Sequence, residues 1–161
     1  MKPDRMTADI TTLGASRTLG EPALRKACVI RADIGPALEF ATTAGAVRAV
    51  FPILGGEAVG EGWRGRILPG GADFALALPD GSYAIEARYC IELDDGTPVM
   101  VTNAGRMVPQ PDGSYLGRTR AELEVPEGKY GHLGRAVYFG TALAEPEDTA
   151  HVFIELWQAP V

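Results

Sequence analysis

Apolar and polar residues alternate with a period of two along most of the chain from Leu24 onwards. This period is typical of β-strands that bury one face, because successive side chains on a strand point to opposite sides. Turn-forming residues interrupt the alternation, and the pattern predicts strands at 25–34, 46–53, 57–68, 72–79, 83–93, 98–108, 114–124, 135–144 and 149–158. A helical period does not persist anywhere, and only Pro126 to Gly134 is expected to hold one short helical turn.

Three Asp-Gly steps separate consecutive strands in the middle of the chain: Asp80-Gly81, Asp95-Gly96 and Asp112-Gly113. Asp-Gly between alternating apolar runs is a strong hairpin signal, because glycine accepts the positive φ that tight turns need. Long strands joined in this way form an antiparallel meander. The sequence therefore predicts an all-β fold.

A long meander must protect its edge strands, and closure into a barrel removes the edges completely. The 20 glycines agree with closure, since bends and bulges favour glycine. We expect a single up-and-down antiparallel barrel of about eight to ten strands over residues 23–161, with a two-sheet sandwich as the alternative. Residues 1–22 are mixed and polar and are expected to form an N-terminal arm or tail.

Composition and charge argue against several classes of function. The chain is 46% hydrophobic with a net charge of −6, and its 15 Lys and Arg are scattered, so we expect no nucleic-acid partner. The two cysteines lack CxxC spacing and there are only two histidines, which predicts no metal site. With no signal-peptide pattern and no apolar run of membrane-spanning length, we expect a cytoplasmic protein without a membrane partner.

Ordered motifs in the middle of the chain resemble one known family. They are GRILPGGADF at Gly65–Phe74, EARY at Glu86–Tyr89 and DDG at Asp94–Gly96, followed by a later block that ends in the run 133–140. This order resembles the bacterial and fungal family named domain of unknown function 3237, also grouped as UPF0311. The resemblance covers about residues 24 to 159.

The resemblance implies a single antiparallel β-barrel and brings no settled activity. The family often has Leu-Asn-Arg where this chain has Leu133-Gly134-Arg135. A polar side chain is therefore missing at Gly134, and any role of that asparagine has no counterpart here.

Strand 83–93 carries two different faces. Glu86, Arg88 and Cys90 share one face, whereas Ile85, Ala87, Tyr89 and Ile91 share the other. If the polar face lines the lumen, Glu86 and Arg88 lie roughly 7 Å apart at the backbone and can pair directly or hold a ligand between them.

Polar and aromatic side chains on the neighbouring strands complete a predicted cavity for an anionic or oxygen-rich organic molecule. The expected ligand-binding residues are Arg66, Asn103, Arg106, Arg118, Tyr130 and Trp63. The expected catalytic residues are Asp73, Glu86 and Arg88. Asp73 and Glu86 are the available proton acceptors, and Arg66 and Arg88 would stabilise developing negative charge.

Each of these residues also has a purely structural interpretation. Glu86 and Arg88 can form an ion pair that only joins strands. Asp73 can be a turn or bulge residue that bonds backbone N–H groups. Trp63 and Tyr130 can be core or rim aromatics.

No serine-hydrolase elbow, phosphate loop or dinucleotide fingerprint is present, so the leading hypothesis is a cofactor-free acid–base enzyme of the lyase, isomerase or cyclase type. The competing hypotheses are a carrier barrel, whose lumen would be chiefly apolar, and an interaction protein with a packed interior. We also expect a homo-oligomer, most simply a dimer, because the last strand carries Phe153, Leu156 and Trp157 on its two faces.

Overall fold

The computed structural model describes residues 21–159, which form ten β-strands and one 3-10 helix. The strands are β1 (Arg25–Ile34), β2 (Leu38–Ala41), β3 (Val47–Gly60), β4 (Trp63–Ile67), β5 (Gly71–Ala77), β6 (Tyr83–Leu93), β7 (Pro98–Pro109), β8 (Tyr115–Glu124), β9 (Val137–Ala144) and β10 (His151–Ala159). The 3-10 helix spans Gly131–Arg135. The predicted all-β barrel with one short helical turn is confirmed. The predicted N-terminal arm lies outside the described residues except for its last two positions.

The barrel closes through β1, which pairs with β10 along one edge and with β3 along the other. From β10 the ring continues through β9, β8, β7 and β6. β4 and β5 share the next position, because β5 pairs with the first half of β3 and β4 with its second half. Eight antiparallel strand positions therefore enclose the lumen, and β2 extends the sheet beyond the ring on β3.

The strand boundaries differ from the prediction around β3. Strands were expected at 46–53 and 57–68, but β3 continues through Gly55 and Gly56 and ends at Gly60. Gly56 has φ +132°, and a Cβ there would lie 2.0 Å from the carbonyl oxygen of Arg31. The glycine pair therefore bends β3 against β1 instead of ending the strand. β2 was not predicted.

The three Asp-Gly turns form the expected hairpins. Gly81, Gly96 and Gly113 have φ values of 81°, 87° and 88°. In the first turn the Gly81 N–H donates to the carbonyl of Leu78 at 3.0 Å, and the Asp80 carboxylate accepts the N–H of Ser82 at 3.0 Å. These turns set the register of β5 through β8, and this register decides which side chains face the lumen.

The lumen is packed at one end. Ile30, Ile91 and Leu156 lie there and are at most 2% exposed. The 3-10 helix connects β8 to β9 at this end, and Leu133 within it belongs to the same buried cluster. Its carbonyl accepts a hydrogen bond from the Tyr138 hydroxyl at 2.9 Å. The opposite half of the barrel is therefore the open one. Within residues 21–159, no helix has the length and apolarity needed to cross a membrane.

Candidate functional site

The open half of the barrel contains a cavity of about 290 Å³. Glu145, Asp148 and Thr149, from the β9–β10 connection, border its mouth. Its walls are chiefly apolar and aromatic, and they include Phe51, Ile53, Tyr83, Ile85, Met107 and Tyr115. The volume lies just below the range of about 300–1,000 Å³ that is typical of small-molecule sites. The cavity suits a ligand of one or two rings.

Asp73 on β5 is the carboxylate within the walls of this cavity. Its Oδ1 accepts a hydrogen bond from the Glu86 backbone N–H at 3.1 Å. The described β5–β6 ladder pairs Asp73 with Ala87 and Leu76 with Ala84 and skips the two residues between on each strand, so the carboxylate supplies an acceptor there. Burial raises the pKa of Asp73 to about 6, and the hydrogen bond from Glu86 offsets only part of this effect.

Asn103 on β7 lies at the same level of the barrel as Asp73. Asp73 is opposite Ala87, and Ala87 is opposite Asn103. Because neighbouring strands lie about 4.8 Å apart, the backbones of Asp73 and Asn103 are separated by roughly 10 Å. The side chain between them is only the methyl group of Ala87. A ligand above this methyl group can therefore contact both polar side chains.

Asn103 is 3% exposed, and its Oδ1 has no hydrogen-bond partner among the described residues. Two further oxygens without such a partner, the hydroxyls of Tyr89 and Thr119, are also buried. Tyr89 is opposite Val101 and Thr119 is opposite Gly105, so the three side chains follow one diagonal across β6, β7 and β8. Burial raises the pKa of Tyr89, which keeps its hydroxyl protonated. Buried polar atoms without partners are uncommon and call for an explanation. Tyr89 and Asn103 line the cavity, whereas Thr119 does not, so a bound molecule can supply a partner for the first two only.

A second polar cluster lies at the mouth of the cavity. His151 has Nδ1 at 2.9 Å from Asp148 Oδ2 and Nε2 at 3.6 Å from Asp33 Oδ1. Asp33 also accepts a hydrogen bond from Arg31 Nε at 3.0 Å. The hydrogen bond with His151 lowers the pKa of Asp148. This cluster joins β1, β10 and the preceding turn at the entrance.

Glu86 and Arg88 lie on the outer surface, so the expectation that their face lines the lumen is wrong. The lumen face of β6 carries Tyr83, Ile85 and Tyr89 instead. Arg88 Nε donates to Glu86 Oε1 at 3.0 Å, and the two side chains are 58% and 45% exposed. The barrel buries its apolar face because burying the ion pair would remove two charges from water.

Three of the predicted ligand-binding residues, all arginines, also lie outside the cavity. Arg66 pairs with Glu92 at 2.9 Å, and Arg106 pairs with Asp80 at 2.8 Å. Arg118 is exposed and donates to the carbonyl of the residue before it at 3.0 Å. No Arg or Lys among residues 21–159 lines the cavity. The positive charges from which an anionic ligand was predicted are therefore absent from its walls.

Trp63 and Tyr130 do not line the cavity either. Trp63, at the start of β4, covers Gly60, where an added Cβ would lie 2.1 Å from the indole ring. Tyr130 is buried with Leu133 in the cluster at the closed end. Their structural interpretation, as rim and core aromatics, describes both residues.

Comparison with known proteins shows the family of this chain. Residues 22–159 match the family described as "Protein of unknown function (DUF3237)". A UPF0311 protein of Rhodopseudomonas palustris is 37% identical over 127 residues, which are 70% of this chain and 82% of the relative. The chain belongs to the DUF3237 family. The resemblance inferred from the motifs between Gly65 and Gly96 is confirmed.

Solved structures share the DUF3237 barrel. A conserved protein of unknown function from Rhodopseudomonas palustris superimposes with a TM-score of 0.79 at 30% identity, covering 88% of this chain and 99% of that one. An enzyme from Penicillium herquei superimposes with a TM-score of 0.69 at 23% identity, covering 92% of this chain and 100% of that one. The second likeness shows the fold alone.

The DUF3237 motifs occupy two different parts of the barrel. The segment Gly65–Phe74 brings Asp73 to the cavity, and the segment Glu86–Tyr89 brings Tyr89 there. Gly134, where the family often has asparagine, lies in the 3-10 helix at the closed end, and an added Cβ would lie 3.2 Å from Val125. The missing asparagine therefore removes nothing from the cavity walls.

Sequence reasoning named Asp73 and Asn103, which the fold brings together, but not Tyr89, Asp148 or His151. Tyr89 was assigned to the apolar face of its strand, and this face is the lumen. Asp148 and His151 are three residues apart where the β9–β10 turn meets the first residue of the last strand, and this turn brings their side chains together. This spacing was the available signal for the cluster at the mouth.

Proposed function

We propose that this protein is a cofactor-independent enzyme that moves a proton within a small organic molecule bound in the barrel lumen, with Asp73 as the proton-transfer group. The observation that carries the proposal is the position of Asp73, a carboxylate in the wall of an otherwise chiefly apolar cavity. A half-buried carboxylate with a desolvated charge costs the fold free energy, so its presence in the cavity wall indicates a functional role.

The chemistry of Asp73 suits proton transfer near neutral pH. With a pKa of about 6, the carboxylate is largely ionised at neutral pH and is a stronger base than an exposed aspartate. One oxygen is held by the Glu86 N–H at 3.1 Å, and this contact orients the other. A group that first accepts and then returns a proton supports lyase, isomerase and cyclase reactions without a redox step.

The nature of the walls supports a substrate whose body is apolar. Aromatic and aliphatic side chains form most of the cavity, so water is largely displaced when a ligand binds. Removal of water strengthens the electrostatic effect of Asp73 on a bound molecule. The similarity in fold to an enzyme from Penicillium herquei agrees with a catalytic role.

The second candidate function is a carrier that binds its ligand without changing it. The chiefly apolar lumen favours this alternative. The third hypothesis, an interaction protein with a packed interior, requires a filled barrel, and the cavity of about 290 Å³ argues against it.

The two leading candidates are separated by deuterium exchange. One-ring and two-ring carbonyl, hydroxyl and alkene compounds would be incubated in D₂O with the wild type or with Asp73→Asn, and mass spectrometry would record label above the buffer rate. We expect the wild type to label at least one compound and Asp73→Asn to label none. Binding of these compounds without wild-type labelling of any of them would establish the carrier and refute the enzyme.

A further inference from the structure

Asn103 is the polar partner of Asp73 within the cavity. Both side chains lie at one level of the barrel with only the Ala87 methyl group between them. Asn103 is buried, and its Oδ1 has no partner among the described residues. The unpaired Oδ1 is an acceptor, and the same amide also carries two N–H donors that can bind an oxygen of the molecule, whereas an ionised carboxylate only accepts. The pair therefore places a donor on one side of a bound molecule and a base on the other.

The charge of the walls restricts the ligand further. Apart from the tyrosines, the titratable residues that line the cavity are Asp73, Glu145, Asp148 and His151, and none of its residues is Arg or Lys. Three carboxylates without a lysine or arginine repel an anion. His151 is already in contact with Asp148 and Asp33. A neutral molecule is therefore favoured over an anionic one.

We infer that the substrate is an uncharged cyclic ketone or its enol, and that Asn103 binds its oxygen while Asp73 moves its proton. This inference rests on the proposed function and adds to it the substrate class and a second catalytic residue.

The step balances without a cofactor. Asp73 accepts a proton from the carbon next to the carbonyl, and the C–H electron pair forms the new C=C bond while the C=O π pair moves to oxygen. The Asn103 amide N–H stabilises the resulting enolate oxygen. Asp73 then returns the proton to the oxygen or to another carbon, and the product is an isomer of the substrate.

Two probes share one bicyclic skeleton and test both residues. 2-Tetralone carries exchangeable protons next to its carbonyl, and 2-naphthol is a stable, neutral analogue of its enol. Exchange would be followed by proton NMR in D₂O, and binding by naphthol fluorescence. 2-Naphthoate and protonated 2-aminotetralin serve as anionic and cationic analogues of similar size.

We expect the wild type to accelerate exchange of 2-tetralone and to bind 2-naphthol more tightly than either charged analogue. Asn103→Leu should lower the exchange rate roughly a hundredfold, the effect of removing one oxyanion donor, and weaken naphthol binding less. Arg106→Ala, on the outer surface, is the matched control and should leave both unchanged.

Several results would overturn the inference. They are tighter binding of 2-aminotetralin than of 2-naphthol, absence of 2-tetralone exchange, or exchange that persists in Asn103→Leu. If alkene or hydroxyl compounds are labelled in an Asp73-dependent way while 2-tetralone is not, this inference fails and the proposed enzyme remains. If Asp73→Asn labels as fast as the wild type, the proposed function itself fails.

A separate observation concerns the outer face of β8, β9 and β10, where three cross-strand rows of side chains lie side by side. Phe139 and Phe153 on this face are 48% and 39% exposed. Its two outer rows contain mainly apolar side chains, and its central row contains an arginine at one end and a glutamate at the other. The rows are Leu116–Leu143–Phe153, Arg118–Thr141–Glu155 and Arg120–Phe139–Trp157.

This arrangement is complementary to itself. A two-fold axis parallel to β9 would place Arg118 opposite the second copy's Glu155 and Arg120 opposite its Trp157. The first contact is an ion pair, and the second is a cation–π contact. Lys26 of the same chain already contacts both of these residues: Glu155 accepts from its Nζ at 2.8 Å, and Nζ lies 5.1 Å from the centroid of the Trp157 ring. A carboxylate can accept a further donor, and an indole ring has a second face for Arg120. The geometry points to a homodimer formed through this face, the isologous contact that is commonest among oligomers.

Light scattering at tens of micromolar tests the dimer. We expect a dimeric wild type, and a monomer for both Phe139→Lys and the surface variant Arg118→Glu. Adding Glu155→Arg to Arg118→Glu should restore the dimer. Phe74→Lys, which changes an equally exposed phenylalanine on β5, is the control and should remain dimeric. A monomeric wild type, or a dimer that survives both Phe139→Lys and Arg118→Glu, would overturn this proposal.

Discussion

Asp73 and Asn103 are polar side chains in a chiefly apolar lumen, and each costs the fold free energy where it lies. Asp73 is partly desolvated, and Asn103 Oδ1 has no partner among the described residues. A side chain that is selected only for stability would be apolar at both positions. The same two residues are the ones to which the proposed chemistry assigns a donor and a base.

Asn103→Leu is expected to stabilise the protein. The substitution replaces a buried amide with an apolar group of similar size, so the free energy of unfolding should rise by about 1–3 kcal/mol. Urea denaturation measures the change. Asn103→Ala, which leaves an additional cavity, should be less stable than Asn103→Leu. A lower stability of Asn103→Leu than of the wild type would show that the amide has a structural partner.

Arg88→Ala is expected to change almost nothing. Both members of the Glu86–Arg88 pair are about half exposed, and exposed ion pairs contribute roughly 0–1 kcal/mol. The Glu86 N–H that holds Asp73 belongs to the backbone and remains in place. The thermal unfolding of Arg88→Ala, and the rate at which it labels 2-tetralone in D₂O, should match those of the wild type. A loss of exchange in a folded Arg88→Ala would contradict the outward position of this side chain.

At the scale of elements, β8 and β9 approach each other closely where Thr119 is opposite Gly140. A Cβ added at Gly140 would lie 2.0 Å from Thr119 Oγ1. Gly140→Ala should therefore destabilise the barrel by about 1–3 kcal/mol. Thr119→Ala removes the clashing hydroxyl, and the double variant should recover most of this loss in a thermal-unfolding cycle. Additive effects of the two substitutions would argue against this contact.

The elements that local chemistry specifies were predictable from the sequence. Asp80-Gly81, Asp95-Gly96 and Asp112-Gly113 fixed the hairpins between β5 and β8, because each turn needs the positive φ of its glycine. β2 was not predictable in this way, because a four-residue strand that lies outside the ring has no buried face to create a pattern. The continuity of β3 through Gly55 and Gly56 depends on its pairing with the distant β1.

The direction of the lumen could not be read from alternation alone. On β6 one face is polar, with Glu86 and Arg88, and the other is apolar apart from the hydroxyls of Tyr83 and Tyr89. Charged residues that share one strand face can line a binding site, and this pattern favoured the polar face as the lumen. Desolvation decides against that assignment, since two charges remain in water at little cost on the outer face. Asp73 and Asn103 face inward because the register of β5, β6 and β7 places their side chains on the lumen side of the sheet.

At the scale of the whole molecule, the barrel separates its charges. The arginines that were expected to bind a ligand form surface pairs such as Arg66–Glu92 and Arg106–Asp80. The cavity keeps Asp73 in its wall and carboxylates at its mouth. The fold thus acts as an apolar container with one buried base, and its surface charge has no part in the proposed reaction.

The most direct measurement combines stability and exchange for Asp73→Asn as pH is varied. Asparagine keeps an oxygen to accept the Glu86 N–H and removes the charge. Burial raises the pKa of Asp73 to about 6 in the fold. Below about pH 4 the carboxyl is protonated and does not lower the stability of the fold, and this stability is lost as the pH rises through 6 and the carboxyl ionises. Asp73→Asn should match the wild type near pH 4 and exceed it by about 2–3 kcal/mol near pH 8, with deuterium exchange abolished. A variant that is less stable than the wild type near pH 8 and still catalyses exchange would contradict the assignment of Asp73 as a buried catalytic base.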